Sequence, residues 1–560
     1  MRRYYLFFLL ISSPFFSFSQ STSKSDSSKF IRNSGVACVF YTDIQDFSHK
    51  AAITSGLYYQ PSDKFDRDFS LPFQQLMNSK DCHSFTTTGS GYVLYGLSAK
   101  NNDTIAYHDY IFKNSQAMIH GGMFNANMFP LFGGDYGPAG QHDYYGGIHA
   151  DGFIRRFSYS VNYIGGYLNG PSYLDSIIKN DKVVPGMGYA YGNPAKGYSY
   201  QYWDGYVSYY LNNIFNFEIG KGKQFWGDGY RSLILSDVSN SYPYFKITTT
   251  VWHIQYTNLF TVMQDIEPTT PQSKNFPIKY GTFHFLSWNV SKRINLSLFE
   301  AVIGAGDHGN YSRGFDPNYL NPVIFYRPIE FSLGSPDNEL VGGTFKIKIA
   351  KNNVFYGQVL LDEFVLHNVI AHNGWWGNKQ GVQGGVKLFN LFGSNGLSFQ
   401  TEVDYVRPYT YSEGSPQENY SNAGQPLADP MGANFVESAS FLTWFYKNLI
   451  IQGNIEVYHF GLDPTGIDPA TKTAYDYGQN IFISYDDRVS EYGNYVGQGV
   501  SSYLAIIGLR GAYIISPKMG LKAELGMTER LEKEGVGKII SSPYIYFGIK
   551  TSLGNLYNDF

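Results

Sequence analysis

Two cysteines in 560 residues, Cys38 and Cys82, exclude a disulfide-dense secreted scaffold. Charge is scarce as well. Asp, Glu, Lys and Arg make up 16% of the chain, against about a quarter in soluble globular domains. The formal net charge is −4 with no polybasic stretch, which argues against a nucleic-acid partner. Beyond the N-terminus no segment approaches the roughly 18 apolar residues of a helical membrane span. Catalytic signatures are missing too. There is no G-x-S-x-G elbow, and Gly220-Lys-Gly222-Lys-Gln-Phe-Trp-Gly227 lacks the G-x-x-x-x-G-K-[ST] pattern of a phosphate loop. The loop from Asp463 to Asp487 lacks EF-hand spacing. His142-Asp143 and His149-x-Asp151 fall near opposite ends of one expected strand, so they make no metal site. Asp362 and Glu363 are adjacent and on a regular strand point to opposite faces, so they form no acid–base pair. The reading is a non-enzyme without cofactor or metal.

What the chain has in excess is aromatic and flexible. Aromatics reach 18%, led by 49 Tyr and 43 Phe, with 60 Gly. That composition suits strands with one face toward lipid and the other toward a polar lumen. The N-terminus reads as a secretory signal over residues 1–19: Arg2-Arg3, an apolar run from Tyr4 to Phe16, then Ser17-Phe18-Ser19 as small-residue cleavage site. Residues 20–115 are read as an N-terminal periplasmic region. It comprises a polar leader to about 35, short helices at Ala51-Ala52-Ile53 and Phe73 to Met77, and a strand within Gly91 to Ser98. In an oxidising periplasm Cys38 and Cys82 are able to pair; two buried free thiols are the alternative.

From 116 to 560 strand-like segments are joined alternately by short and long connections. The short ones are Ala150 to Gly152, Leu211 to Asn213, Val251 to His253, Ser291 to Arg293, Ala350 to Asn353, Leu391 to Gly396, Tyr446 to Asn448 and Ser516 to Lys518. The long ones fall at about 130–145, 165–200, 223–243, 265–280, 305–340, 364–380, 411–434, 461–498 and 531–541. This alternation is the pattern of an antiparallel outer-membrane barrel with turns in the periplasm and loops outside. In the expected wall Trp203, Val207, Tyr209 and Leu211 oppose Asp204, Tyr206, Ser208 and Tyr210, and Phe215, Phe217 and Ile219 oppose Asn216 and Glu218. Both apolar sets share one face if a three-residue turn or a bulge falls near Asn213. In the last strand Ile545, Phe547, Ile549 and Leu553 point outward, Tyr544, Tyr546 and Lys550 inward.

One stretch carries more than periodicity. Gly220, Lys223, Phe225-Trp226-Gly227, Gly229, Arg231, Leu233-Ile234-Leu235-Ser236 and Pro243 resemble the signature region of the capsule-assembly Wzi family, closest to its gliding-motility, RemB-like branch. Further matches lie in Arg313-Gly314-Phe315-Asp316, Tyr319-Leu320-Asn321-Pro322, Phe325-Tyr326-Arg327, Tyr356-Gly357-Gln358 and Leu361 to Phe364. Where the family often has Trp-Gly-Pro-Gly, this chain has Trp226-Gly227-Asp228-Gly229. The resemblance implies an all-β transmembrane barrel of about 18 strands with a small N-terminal periplasmic cap or plug. It also implies a surface-polysaccharide partner, in capsule assembly or in gliding motility, and location in the outer membrane. Outer-membrane lipid is the surrounding partner. The C-terminal aromatic Phe560 looks like the signal read by the barrel-assembly machinery.

Loop chemistry points the same way. Flat aromatic faces suit pyranose rings, and planar amides, carboxylates and guanidinium groups suit hydroxyls. The candidate ligand-binding residues are Trp226, Asp228, Tyr230, Arg231, Arg313, Asp316, Tyr319, Asn321, Arg327, Trp375 and Trp376, with Tyr136, Gln141, His142, Tyr144 and Tyr145 in a neighbouring loop. The apolar Leu233-Ile234-Leu235 predicts that 223–243 folds inward, burying Trp226 and setting Arg231 beside Asp228 or Glu218, and 305–339 is expected to fold inward too. A porin or other transporter is the alternative, since an 18-strand barrel holds a water channel unless it is filled.

Overall fold

The computed structural model describes residues 116–551 apart from short connecting stretches, together with two strands at Cys82–Thr87 and Val93–Leu97. Those two pair antiparallel, and the second matches the strand expected within Gly91 to Ser98. The signal segment, the expected helices at 51–53 and 73–77, and the Cys38–Cys82 pairing lie outside the described residues.

Eighteen antiparallel strands close into one barrel. They are β1 (Gly122–Tyr136), β2 (His142–Ile154), β3 (Phe157–Asn169), β4 (Gly197–Tyr210), β5 (Phe215–Gly222) and β6 (Tyr242–Val251). Then come β7 (Ile254–Gln264), β8 (Ile278–Asn289), β9 (Ile294–Ala305), β10 (Asn338–Ala350), β11 (Asn353–Glu363) and β12 (Lys379–Phe389). The last six are β13 (Leu397–Val406), β14 (Phe435–Tyr446), β15 (Leu449–Leu462), β16 (Val500–Ser516), β17 (Leu521–Glu534) and β18 (Ile540–Lys550). Each strand pairs with the next, and β18 closes on β1 through Phe547↔Tyr136 to Lys550↔Gly133. Closure leaves no edge, which is what a sheet in lipid requires.

The side-chain alternation follows the sequence. Trp203, Val207, Leu211, Phe215, Ile219, Ile545, Phe547 and Ile549 are exposed on the outer face, while Asp204, Tyr206, Ser208, Asn216 and Glu218 are buried inside. Register across the β4–β5 turn is set by Tyr210↔Asn216 and by the Leu211 N–H donating to the Phe215 carbonyl at 3.1 Å. Three residues are left in the turn, as the shared apolar face demands. Among the described residues no helix is long and apolar enough to cross a membrane; the crossing is made by strands. The apolar belt around a closed barrel identifies an outer-membrane protein.

Four connections differ from expectation. Residues 150–152 lie within β2, which runs on to Ile154 before β3 begins at Phe157. The stretches 130–145 and 531–541 are mostly strand with tight turns at 137–141 and 535–539, so Tyr136, His142, Tyr144 and Tyr145 belong to the wall rather than to a loop. The connection after β3 contains an amphipathic helix, α1 (Ser172–Asp181), which buries Ile178 against Leu131, Ile164 and Tyr200.

The barrel is filled by its own loops. Segments 223–241 and 407–434 dip into the lumen; nearly all residues of the first are buried, and most of the second apart from the stretch 413–417. They bring Trp226, Leu233, Leu235, Tyr411, Tyr420 and Leu427 into one apolar cluster with inward wall residues such as Phe283, Phe299 and Leu360. The second of these segments corrects a reading. Expected as an outer loop, 411–434 is an inner one, and Gln425 is buried. Its tyrosines at 409, 411 and 420 look like surface chemistry in sequence and serve as core here.

Candidate functional site

The inward loop 223–241 is held by polar side chains from consecutive strands. Gln358 on β11 accepts the Leu233 N–H at 2.8 Å and donates to the Trp226 carbonyl at 3.3 Å. Gln383 on β12 donates to the Arg231 carbonyl at 3.1 Å. The Glu402 carboxylate on β13 accepts the Tyr230 N–H at 2.6 Å, the Arg231 N–H at 2.7 Å and the Tyr356 hydroxyl at 2.7 Å. Close approach explains two of the signature glycines. A Cβ at Gly227, whose φ is +145°, would sit 2.0 Å from Gln358 Nε2; one at Gly229 would sit 2.7 Å from the Gln383 amide.

Trp226 is fully buried, as the apolar run predicts, with its ring 5.2 Å from that of Phe285 and 6.0 Å from that of Phe299. The Trp226 backbone N–H donates to the Leu235 carbonyl at 2.9 Å. The loop 407–434 seals this arrangement from the other side: the Tyr411 hydroxyl donates to the Leu233 carbonyl at 2.7 Å and the Tyr420 hydroxyl to that of Ile234. Tyr409 and Tyr411 hold φ of +66° and +73°, strain of about 1–3 kcal/mol each that the packing and the Tyr411 N–H, donating to the Asp362 carboxylate at 2.8 Å, offset.

Arg231 is fully buried but not beside Asp228 or Glu218. Its guanidinium lies 3.4 Å from Glu437 and 3.7 Å from both Asp429 and Glu456, and donates to the Tyr458 hydroxyl at 2.8 Å. Asp228 instead pairs with Lys346 at 2.9 Å, and Glu218 with Lys246 at 2.8 Å. The barrel wall carries carboxylates remote in sequence to the tip of the loop, so nearness in the chain misleads. Asp362 and Glu363 also depart from the simple strand rule. The ladder shifts register between Leu361 and Glu363, and both carboxylates reach Lys379, at 2.9 and 3.5 Å.

The other candidates scatter. Asp316 caps a short 3-10 turn by accepting the Asn318 N–H at 2.9 Å, Tyr319 is buried against Val302, and Asn321 is exposed nearby. Arg313 and Arg327 lie outside the described residues. Trp376 is buried: Arg488 lies 4.2 Å over its ring, Tyr485 packs at 4.7 Å, and its indole N–H donates to Glu491 at 2.8 Å. Trp375 is half-buried beside it. Trp226, Arg231, Tyr319 and Trp376 are thus enclosed in this conformation, and Tyr230 packs against Phe441 with ring centroids 4.2 Å apart and planes tilted by 44°.

What stays open is the opposite wall. Along β6 to β14 nearly every inward side chain is buried under the two loops. On β17, β18, β1 and β2 the inward Thr528, Arg530, Glu532, Ser542, Tyr544, Tyr546, Asp135, Asp143 and Tyr145 are only half-buried. Tyr544 and Tyr546 stack at 5.4 Å, and Arg530 lies 5.0 Å over the ring of Tyr173 from α1. Toward the short-turn end this recess closes on Lys550, paired with Asp135 at 3.0 Å and Glu524 at 2.9 Å. Tyrosine faces with acids and a guanidinium make a hydroxyl-binding surface. The sequence reading assigned Tyr544 and Tyr546 to the lumen and did not connect them with a site, because the strands that frame them are joined only by barrel closure.

No protein-family model matches the chain, and no curated protein matches it. Among solved structures it is similar to the Escherichia coli outer-membrane protein Wzi, described as a carbohydrate-binding β-barrel involved in group 1 capsule assembly. Identity is 13% and the TM-score 0.48, over 93% of this chain and 100% of that one. It is also similar to Pseudomonas aeruginosa OprD, at 8% identity and TM-score 0.39 over 76% and 94% of the two chains. A third is Acinetobacter baumannii OccAB2, at 10% identity and TM-score 0.40 over 79% and 98%.

Proposed function

We propose that this outer-membrane barrel is non-catalytic and binds or anchors a surface polysaccharide at its loop-side mouth, in capsule assembly or gliding motility. The observation that carries the reading is the asymmetry of the lumen. Two inward loops fill the β6–β14 side, and the accessible remainder is the recess of Tyr544, Tyr546, Tyr145, Asp135, Asp143, Arg530 and Glu532. A chain of pyranose units offers the flat faces and hydroxyls such a recess suits. The expected loop residues then contribute by holding the plug, with Asn321 and the half-buried Trp375 and Asp316 at the rim. Insertion by the barrel-assembly machinery belongs to the same proposal.

The test is a glycan array on detergent-purified protein, followed by Tyr544→Ala and Arg530→Ala. Binding to acidic or neutral polysaccharide that falls in both variants supports the reading; no glycan bound by the parent overturns it. A second reading, a substrate-selective porin, is favoured by the same half-exposed wall, since a recess lined by Arg530, Glu532 and Asp135 also describes a narrow conduit. Planar-bilayer recording separates the two: a steady open conductance supports transport, and a silent bilayer supports the plugged, glycan-binding barrel.

A further inference from the structure

The lipid-facing side of β2, β3 and β4 carries a feature that the mouth does not use. Outward side chains register there in rows. Tyr144, Tyr167 and Ser199 face one another, and Ser199 in turn faces Tyr191. The next row is Gly146, Gly165 and Gln201, and the one after it Ile148, Tyr163 and Trp203. Two adjacent glycines remove two side chains from the middle row. The result is a trough in the outer wall with aromatic rings along both sides. A cavity of about 290 Å³ lies at the upper part of this trough, lined by the outward Tyr144, Gly165, Tyr167, Tyr191, Ser199 and Gln201 and backed by the inward Gly166 and Tyr200. That is the lower end of the roughly 300–1,000 Å³ of small-ligand sites.

We propose that this trough binds the sugar headgroup of an outer-leaflet glycolipid. Three observations point to that occupant. The trough sits at the long-loop end of the wall, where the outer leaflet meets water. Its upper edge is a tile: the rings of His142, Tyr144 and Tyr167 are within 20° of parallel and 5.3, 5.8 and 5.9 Å apart. Three nearly equal spacings cannot belong to a single column, so the rings are mutually offset and form one continuous aromatic edge beside the trough. Its floor offers the exposed Gln201 amide, and at its end the Ser199 hydroxyl, which donates to the Tyr191 carbonyl at 3.2 Å, keeps its oxygen as an acceptor; both suit a sugar hydroxyl. An acyl chain alone has no use for the amide, and a second barrel would need a continuous apolar face where this one is indented. This site lies on the outer wall, separate from the mouth recess.

The glycines supply the test. A Cβ at Gly146 or Gly165 meets nothing within 4 Å, and neither has the left-handed φ that only glycine tolerates. The double variant Gly146→Leu/Gly165→Leu therefore fills the trough without disturbing the ladder. Gly511→Leu, on the outward face of β16 and equally open, is the matched control. Full-length protein is incubated in mild detergent with lipopolysaccharide or with phosphatidylethanolamine, and retained lipid is counted by native mass spectrometry. The parent and Gly511→Leu are expected to retain lipopolysaccharide, the double variant to lose it by about tenfold or more, and Tyr144→Ala to fall between. Equal retention by the double variant overturns the proposal, as does equal retention of phosphatidylethanolamine by the parent or self-association without bound lipid. Glycan binding at the mouth is expected to be unchanged in the double variant, so failure of either idea is seen separately.

Discussion

Trp226 and Arg231 show how one loop fills a barrel. The indole is packed on Phe283, Phe285 and Phe299 with no exposed surface. Trp226→Ala therefore removes a large side chain from a closed site, at a cost of about 3–5 kcal/mol. The wall is expected to survive, because its ladder bonds lie elsewhere. Hydrogen exchange should speed up in 223–241 while β8 and β9 stay protected; unchanged exchange in that loop would show that the ring does not hold it. Arg231 is the other fixed point. It is the cation that faces Asp429, Glu437 and Glu456 within 3.7 Å, so Arg231→Met leaves buried carboxylates uncompensated, a loss of about 3–5 kcal/mol. Arg231→Lys keeps the charge but loses the planar fork that reaches several partners at once, and an intermediate melting temperature is expected. Identical melting of all three forms would mean that the network contributes nothing to stability.

The strands were legible because lipid outside and polar groups inside enforce a period of two, which Phe215-x-Phe217-x-Ile219 displays plainly. The direction of the loops was harder to read. Leu233-Ile234-Leu235 marks 223–241 as buried, but 407–434 has no comparable apolar run. Its burial rests on tyrosine hydroxyls meeting Leu233 and Ile234 carbonyls and on Lys279 donating to the Asn419 carbonyl at 2.8 Å, pairings that exist only once the barrel is closed. Titration tests how firmly such loops are docked. Burial pushes the Glu418 carboxyl up to about 7, with nearby Asp337 and Glu413 adding to it and the Ala305 N–H and Ser415 opposing. Burial also pushes Asp476, in the loop 463–499, up to about 8, aided by Asp463 and Asp487 and opposed by the Gly478 N–H and Arg488. Both folded-state values lie above the ordinary carboxylate range, so the docked loops hold these protons more tightly than undocked ones. Docking gains stability as pH falls through 8 and 7, and the gain is complete only below the ordinary range. Lys223 is pushed down to about 8 by burial, against Asp237 and Asp204, and its effect is confined to higher pH. Exchange protection of 463–499, normalised for intrinsic rates, should rise from pH 8.5 to pH 6. Equal or lower protection at pH 6 would contradict the burial of Asp476.

At the scale of the whole molecule, the long connections, those at 223–241, 407–434 and 463–499 among them, all leave one end of the barrel, and that asymmetry fixes which end faces the periplasm. The alternation was readable from sequence, and so was the strand number once the family resemblance was in view. The site was not, because the open recess joins β17–β18 to β1–β2, the first and last strands of the barrel, which sequence order keeps farthest apart. Exposure at the two ends turns the orientation into an experiment. Phe392, in the short connection between β12 and β13, is 97% exposed, and Val536, in the tight connection between β17 and β18, is fully exposed. Neither side chain is packed, so a cysteine at either position leaves the barrel intact. Val536→Cys should react with a membrane-impermeant maleimide on intact cells. Phe392→Cys should react only after the outer membrane is permeabilised, because its turn faces the periplasm. Gln425→Cys should stay unreactive in both conditions, since that position is buried in the inner loop although its segment reads as an external one. Reaction at Phe392 on intact cells would invert the barrel. Reaction at Gln425 would mean that 407–434 leaves the lumen in the membrane, the very movement an opening channel would need.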